Sequence, residues 1–235
     1  MACWAVAYLS ECSEFAIEAI IEVNVIPRCV ALLSSPKFTI QAACVRIIGK
    51  ICAGDDLGTQ TAIDCGALPA LGKLLTSPSR PILREACWAI SNVTAGNSEQ
   101  VAAVIKAELI PPIIMLLSSH DSSIRLEACW TVVNATEVGP HAIKHLVSQG
   151  CIKPLCEIIK NGDFKIVQVV LQGLENILRA DEALAMDSPK LLNPYALLVE
   201  EAQGLDAIKQ LELHDNIEIS LKATEIIEKY FPDLK

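Results

Sequence analysis

The chain has 235 residues, 52% hydrophobic, 4% aromatic and 20% charged, with a formal net charge of −9 at pH 7. So much apolar surface builds an ample core, and the aliphatic bias with 12 prolines and 11 glycines suits a helical stack better than a β-sandwich. The acidic balance argues against a general polyanion-binding role, nucleic acid included, and makes a basic partner the better expectation.

In chain order, residues 1–13 read as the last helix of a broken repeat, followed by units at roughly 14–55, 56–97, 98–138, 139–180 and 181–235. The unit boundaries rest on a fixed step of 42 residues. It relates Trp4, Arg46, Trp88, Trp130 and Gln172, and four residues behind them Tyr8, Lys50, Asn92, Asn134 and Asn176. Leu32-Leu33, Leu74-Leu75, Leu116-Leu117 and Ile158-Ile159 keep the same register, as do Pro27, Pro69 and Pro111. Helical repeats of about 40–47 residues belong to the armadillo and HEAT class. Each unit buries its apolar face on its neighbours, so the expectation is a single all-α, armadillo-repeat, right-handed superhelical solenoid. The last unit is longer, with an insertion expected at 181–190 before helical pattern resumes over 193–214 and 216–231.

Breakers place the helices inside a unit. In 97–138, Ser98 is expected to cap a helix reaching about Glu108. Pro111-Pro112 open a second helix to about Leu117, since proline is tolerated in a first turn. Asp121 or Ser122 caps a third. That third helix carries Glu127, Trp130 and Asn134, and its counterpart one unit earlier carries Glu85, Trp88 and Asn92.

Residues at i, i+3 and i+7 share one helical face, so each triad lines up, while Ala86, Ile90 and Val93 point into the stack. A carboxylate and a carboxamide on the tryptophan's own face are odd for core, and the triad recurs in two units. With third helices lining an inner curve roughly 8–10 Å apart, each rung meets about every third residue of an extended peptide advancing ~3.3 Å per residue. Parallel indoles make slots for Lys or Arg stems, with cation–π attraction of about 0.5–2 kcal/mol each. Asn92 and Asn134 can bond the peptide backbone, and Glu85 and Glu127 attract cationic tips. The expected ligand is a short, extended, Lys/Arg-rich peptide.

The longest apolar run, about 110–117, is short of the roughly 20 residues that span a bilayer, so no membrane segment is expected. The start, 2–9, lacks a basic n-region and reads as a repeat helix rather than a secretory signal. Of the ten cysteines, most sit at apolar periodic positions such as Cys3, Cys44, Cys87 and Cys129, where the thiol serves as a small hydrophobe in a reducing compartment.

Signals for chemistry are poor. The stretch 66–73 has five residues between its glycines and Leu74 where a P-loop needs Ser or Thr. His141 and His145 stand one turn apart with Glu137 as the only obvious third ligand, and no cysteine pair has zinc spacing. The sequons at Asn92 and Asn134 fall within helices. No catalytic residue, metal or cofactor is expected.

The stretches Glu-Ala-Cys-Trp-Ala-Ile-Ser-Asn at 85–92, Glu-Ala-Cys-Trp-Thr-Val-Val-Asn at 127–134, Gly-Cys-Ile-Lys-Pro-Leu-Cys at 150–156, Gly-Leu-Glu-Asn-Ile-Leu at 173–178 and Asn-Pro-Tyr at 193–195 resemble importin-α, the adaptor for nuclear localisation signals. The resemblance runs from Cys3 to Phe231 and implies a nuclear import role shared between cytoplasm and nucleus. It implies the family's minor signal site, in which an Arg replaces Trp in one repeat before two Trp repeats. Trp4 and Tyr8, then Arg46, then Trp88 with Ser91 and Asn92, then Trp130 with Asn134 match that order. The Gly-Asp-Asp turn at 54–56, with Thr59 beyond it, matches too. It also implies a surface for a HEAT-repeat export receptor with Ran-GTP around Glu175, Asn176 and Tyr195.

The chain departs from the family in two ways. The basic segment that binds importin-β and the first repeats with the major site have no counterpart, so importin-β coupling is not expected of the chain as given. Lys50 stands where the family has Asn, and an ammonium there should weaken its rung unless it turns outward or pairs with a carboxylate. The start inside a third helix reads as a truncated or fragmentary product, or a self-associating edge. The rival class is a catenin-type armadillo scaffold holding a long extended partner; such grooves are basic, so Glu85 and Glu127 favour transport.

Overall fold

The structure is a computed structural model and describes residues 2–184 and 193–232. In chain order come α1 (Ala2–Leu9), α2 (Glu14–Glu22), α3 (Ile26–Leu32), α4 (Phe38–Cys52), α5 (Asp56–Asp64), α6 (Ala67–Leu74), α7 (Arg80–Thr94), α8 (Ser98–Lys106), α9 (Ile110–Leu116) and α10 (Ser122–Glu137). They continue with α11 (Pro140–Ser148), α12 (Ile152–Asn161), α13 (Phe164–Leu184), α14 (Pro194–Glu201), α15 (Gly204–Leu211) and α16 (Ile217–Tyr230). After α1 the helices come as two short ones and one long one, five times over. The fold is an all-α armadillo-repeat solenoid, with helices as the sole regular elements among the described residues.

Local chemistry explains the starts and stops. Side chains of Ser13, Asp55, Asn97, Asn193 and Asn216 accept backbone N–H bonds at the first turns of α2, α5, α8, α14 and α16, satisfying donors that a helix start leaves unpaired. The cap of α8 is thus Asn97 and not Ser98. Its carboxamide oxygen accepts from Glu99 and Gln100 at 3.1 and 3.2 Å, and Gln100 bonds back to the Asn97 N–H at 3.2 Å, a reciprocal box that a serine hydroxyl one residue later does not form. For α10, Asp121 is the cap, accepting from Ser123 N at 3.0 Å. The corner between first and second helices is left-handed in every unit: Asn24 (φ 55), Gly66 (φ 80), Glu108 (φ 56), Gly150 (φ 83) and Gln203 (φ 58). Four of these are 42 residues apart, and only the two glycines hold that conformation without a steric penalty.

Two compact units divide the chain, 1–131 and 132–235. In the first, α4 packs against α1, α3 and α7, and α6 against α7. Ile47, Ile48 and Ile51 of α4, Leu71 of α6 and Ile82 and Ile90 of α7 are at most 1% exposed; each such burial contributes about 1.5–3 kcal/mol. In the second, α13 packs against α11, α12, α14 and α16, with Ile166, Val170, Leu174 and Ile177 fully buried. The expected core columns are inside: Leu33, Leu75, Leu117 and Ile159 are all buried, as are Ala86, Ile90 and Val93. All ten cysteines are free thiols, and burial pushes Cys52, Cys87, Cys129, Cys151 and Cys156 up to about 12, inert at neutral pH. Of the insertion expected at 181–190, residues 181–184 continue α13 and the remainder lies outside the described residues.

Candidate functional site

The first rungs of the Trp column stand on α1, α4 and α7. Trp4 is half-buried and Tyr8 is exposed, their rings 5.8 Å apart and tilted by 36°. On α4, Arg46 Nε donates to the Glu11 carboxylate, and its Nη1 lies 3.7 Å from Glu85 Oε1. The Glu11 bond foremost raises the Arg46 pKa further. Arg84 Nη2 donates to the same Glu85 oxygen at 2.6 Å. Glu85, expected as an open anion, is therefore clasped by two guanidiniums.

Trp88 packs its ring against α4 at Gly49. A Cβ added at Gly49 would collide with its six-membered ring, so the indole reaches this depth only because residue 49 is glycine. Beside Gly49, Lys50 places its Nζ over the Trp88 ring, 5.7 Å from the centroid. It neither turns away nor pairs with a carboxylate among the described residues. Asn92, one turn beyond Trp88, donates its Nδ2 hydrogen to Gly49 O at 3.0 Å. One of its two amide hydrogens is committed to α4; the second hydrogen and the carbonyl oxygen are left for a ligand. Arg46, Lys50, Arg84, Glu85, Trp88 and Glu127 line one cleft of about 260 Å³.

A second cleft, of about 160 Å³, opens where α4 and α7 end and is lined by Asp55, Asp56, Thr59, Asn92 and Gly96 among others. Thr59 is 3% exposed, and its hydroxyl donates to Cys52 O and Asp55 O at 3.2 and 3.0 Å. It shapes the wall and ties α5 to α4 rather than offering a free hydroxyl. Ser91 is likewise buried, its hydroxyl donating to Trp88 O at 2.9 Å. Three positions from Trp88, it sits at the edge of the face and turns into the stack, so it is not a groove residue.

On α10, Glu127 is half-buried and Trp130 is 42% exposed. Burial, foremost, holds the Glu127 carboxyl above the ordinary glutamate value; Glu85 adds to the rise and Arg84 opposes it. Asn134, one turn past Trp130, is half-buried.

In the second unit the residues expected at an export-receptor surface are inside the fold. Glu175 is 6% exposed and paired with Lys222 of α16. Asn176 donates to Thr136 Oγ1 at 2.9 Å and accepts from Gln172 and Arg179. Tyr195 is buried in the first turn of α14. The resemblance implied a surface at these positions; α16, packed against α13, makes Glu175 part of the interior. Gly49, Glu11 and Arg84 were missed by sequence reasoning, although Gly49 adjoins Lys50 and lies one residue off the 42-residue pairing with Asn92. Among the described residues no cluster of His, Cys, Asp or Glu could hold a metal ion, and no helix is long and apolar enough to cross a membrane.

The armadillo/β-catenin-like repeat matches residues 14–53, 55–95, 97–137 and 139–179, and the atypical Arm repeat matches 193–234. Importin subunit alpha-1b of Oryza sativa subsp. japonica is 47% identical over 98% of this chain and 43% of its own length. Importin subunit alpha-3 of Arabidopsis thaliana is 46% identical over 99% and 44% respectively. The chain thus spans less than half the length of these curated relatives. Among solved structures, computationally designed armadillo repeat proteins for modular peptide recognition superpose with a TM-score of 0.89 at 25% identity, over 97% of this chain and 91% of theirs. A designed armadillo repeat protein in complex with the peptide (KR)4 gives 0.86 at 26%, over 97% and 90%. Repeats matched across most of the sequence, and identity near one half along all of it, decide the assignment: the chain belongs to the armadillo-repeat family, as a member of importin-α.

Proposed function

We propose that this chain is a nuclear import adaptor region, working between cytoplasm and nucleus, that binds extended Lys/Arg-rich localisation signals of cargo proteins on the face carrying Trp88, Asn92, Glu127, Trp130 and Asn134. The family is one of non-enzymatic adaptors and scaffolds. The observation that carries the reading is Trp130, a large apolar ring left 42% exposed on a helix whose Ala128, Cys129, Val132 and Val133 are buried. An exposed indole at a fixed repeat position is what stacking on a cationic stem requires. The small cleft supports it: Asp55, Asp56 and Asn92 are among the residues around a space of about 160 Å³, fit for a lysine ammonium. The relatives' names and the (KR)4 peptide bound by a designed relative of the fold point the same way. Trp4 and Tyr8 extend the face, with Arg46 between Glu11 and Glu85 as its ionic brace.

One observation favours an armadillo scaffold that holds an acidic segment instead: Arg46, Lys50 and Arg84 all line the larger cleft. Arg46 and Arg84 are already paired with carboxylates, which leaves Lys50 as the cation that separates the two readings. Calorimetric titration with an eight-residue alternating Lys/Arg peptide and an acidic peptide of equal length, at two salt concentrations, decides. Salt-sensitive binding of the basic peptide alone is expected. Binding of only the acidic peptide establishes the scaffold, and silence from both removes the groove.

A further inference from the structure

The larger cleft contains a ligand-like group that belongs to the protein itself. Lys50 Nζ stands 5.7 Å from the Trp88 ring centroid, within the roughly 6 Å over which an ammonium feels the face of an indole. The ring cannot retreat from it, because Trp88 is wedged on Gly49 and Asn92 ties α7 to the Gly49 carbonyl. Nor does a carboxylate draw the ammonium off: Glu11 and Glu85 are taken by Arg46 and Arg84, and Lys50 makes no ion pair with a carboxylate among the described residues. Lys50 thus sits where an incoming Lys or Arg stem would have to lie.

We infer that Lys50 is a built-in occupant of the Trp88 slot, a specificity-determining residue that bars Lys and Arg from this rung and admits a ligand with a neutral side chain there. The inference rests on the peptide-binding reading above and adds the sequence preference of one subsite. Two ammonium groups on one ring face repel each other, and only one can be over the ring at a time. A basic side chain arriving at Trp88 must first displace Lys50 into solvent and gains only the difference between two similar contacts. A small neutral side chain leaves Lys50 in place. The Trp130 rung has Asn92 at the position equivalent to Lys50, one repeat earlier in the 42-residue register, so the occupant is confined to the Trp88 rung.

Two measurements on the full chain test it. In the free protein, ring current from Trp88 shifts the Lys50 Cε protons upfield, and Trp88→Phe alters that shift; Cε protons at the position of a solvated lysine would overturn the inference whatever peptides do. In binding, Lys50→Asn should tighten the alternating Lys/Arg peptide by about tenfold, as expected when a slot worth 0.5–2 kcal/mol is freed and a like charge removed. Placing one alanine at successive positions of that peptide should weaken Lys50→Asn more than wild type at a single register. Equal affinity of wild type and Lys50→Asn for the basic peptide overturns the role of Lys50 and leaves the groove standing. No binding by either, with the upfield shift present, overturns the groove reading and with it the gatekeeping role, making Lys50 a packing residue.

Discussion

Residues 88–92 of α7 and 172–176 of α13 occupy the same register of the 42-residue repeat and meet opposite fates. On α7 the ring of Trp88 borders an open cleft, and Asn92 spends one hydrogen on the backbone of α4. On α13, Gln172 donates to Asn176 at 3.0 Å and to Glu175 at 3.3 Å, Asn176 reaches Thr136, and Lys222 closes on Glu175. Every polar group there is consumed by another. The register fixes which way a side chain points; what packs across it decides whether any capacity for a ligand remains.

Cutting the closed network should produce a large change in stability and none in peptide affinity. Glu175→Ala leaves the Lys222 ammonium beside buried surface with only Glu225, at 3.2 Å, to turn to. Breaking a buried pair costs about 3–5 kcal/mol; Lys222 keeps a quarter of its side chain in water, so about 2 kcal/mol is expected in urea denaturation. A loss below ~0.5 kcal/mol would mean the pair is as weak as an exposed one.

The two tryptophans sharpen the contrast inside the open region. Trp88→Ala opens a void on Gly49 and should destabilise by about 2 kcal/mol, whereas Trp130→Ala, with much of its ring already in water, should cost under ~1 kcal/mol. Peptide affinity should rank them the other way. Trp130→Ala removes an unoccupied cation slot and weakens a Lys/Arg peptide about fivefold, while Trp88→Ala also frees Lys50 and changes affinity less. The double variant should lose at least about tenfold with helicity unchanged. Equal losses from the two single variants would show that Lys50 does not occupy its slot.

Most of the fold was legible because periodicity reports burial. The 42-residue step, the Leu-Leu columns and the paired prolines require only that apolar residues face neighbours, and they do. The left-handed corner was not legible, since Asn24, Gly66, Glu108 and Gly150 share a φ and not a residue type. The site was half legible. Trp88, Asn92 and Trp130 could be placed on a face by spacing alone, but the clasp on Glu85 depends on Glu11, Arg46 and Arg84, which converge from an inter-helix turn and two helices. The resemblance implied a surface at Glu175 and Asn176, and burial there could not be read from the sequence because the partner of Glu175, Lys222, lies some 47 residues downstream.

The smallest effect concerns Glu127, a carboxylate of the cleft that stands outside the Arg46–Glu85–Arg84 clasp. Burial raises the Glu127 pKa above the ordinary glutamate value of about 4.3, so in the free protein it carries its proton to a higher pH than an exposed glutamate does. A raised carboxyl pKa means the fold gains stability from this group as pH falls through the raised value and toward 4.3, and loses that gain on the way back up. Ligand binding has the opposite sign. A lysine or arginine arriving near Glu127 favours the charged form, so the peptide binds with proton release. Affinity should therefore fall as pH drops through that same window. Glu127→Gln should weaken the basic peptide about threefold at pH 7, a charge-assisted contact at partial exposure, and should flatten the acid limb of the affinity profile. A profile unchanged by the substitution would mean that Glu127, like Glu175 in the closed region, is spent on the fold and not on the ligand.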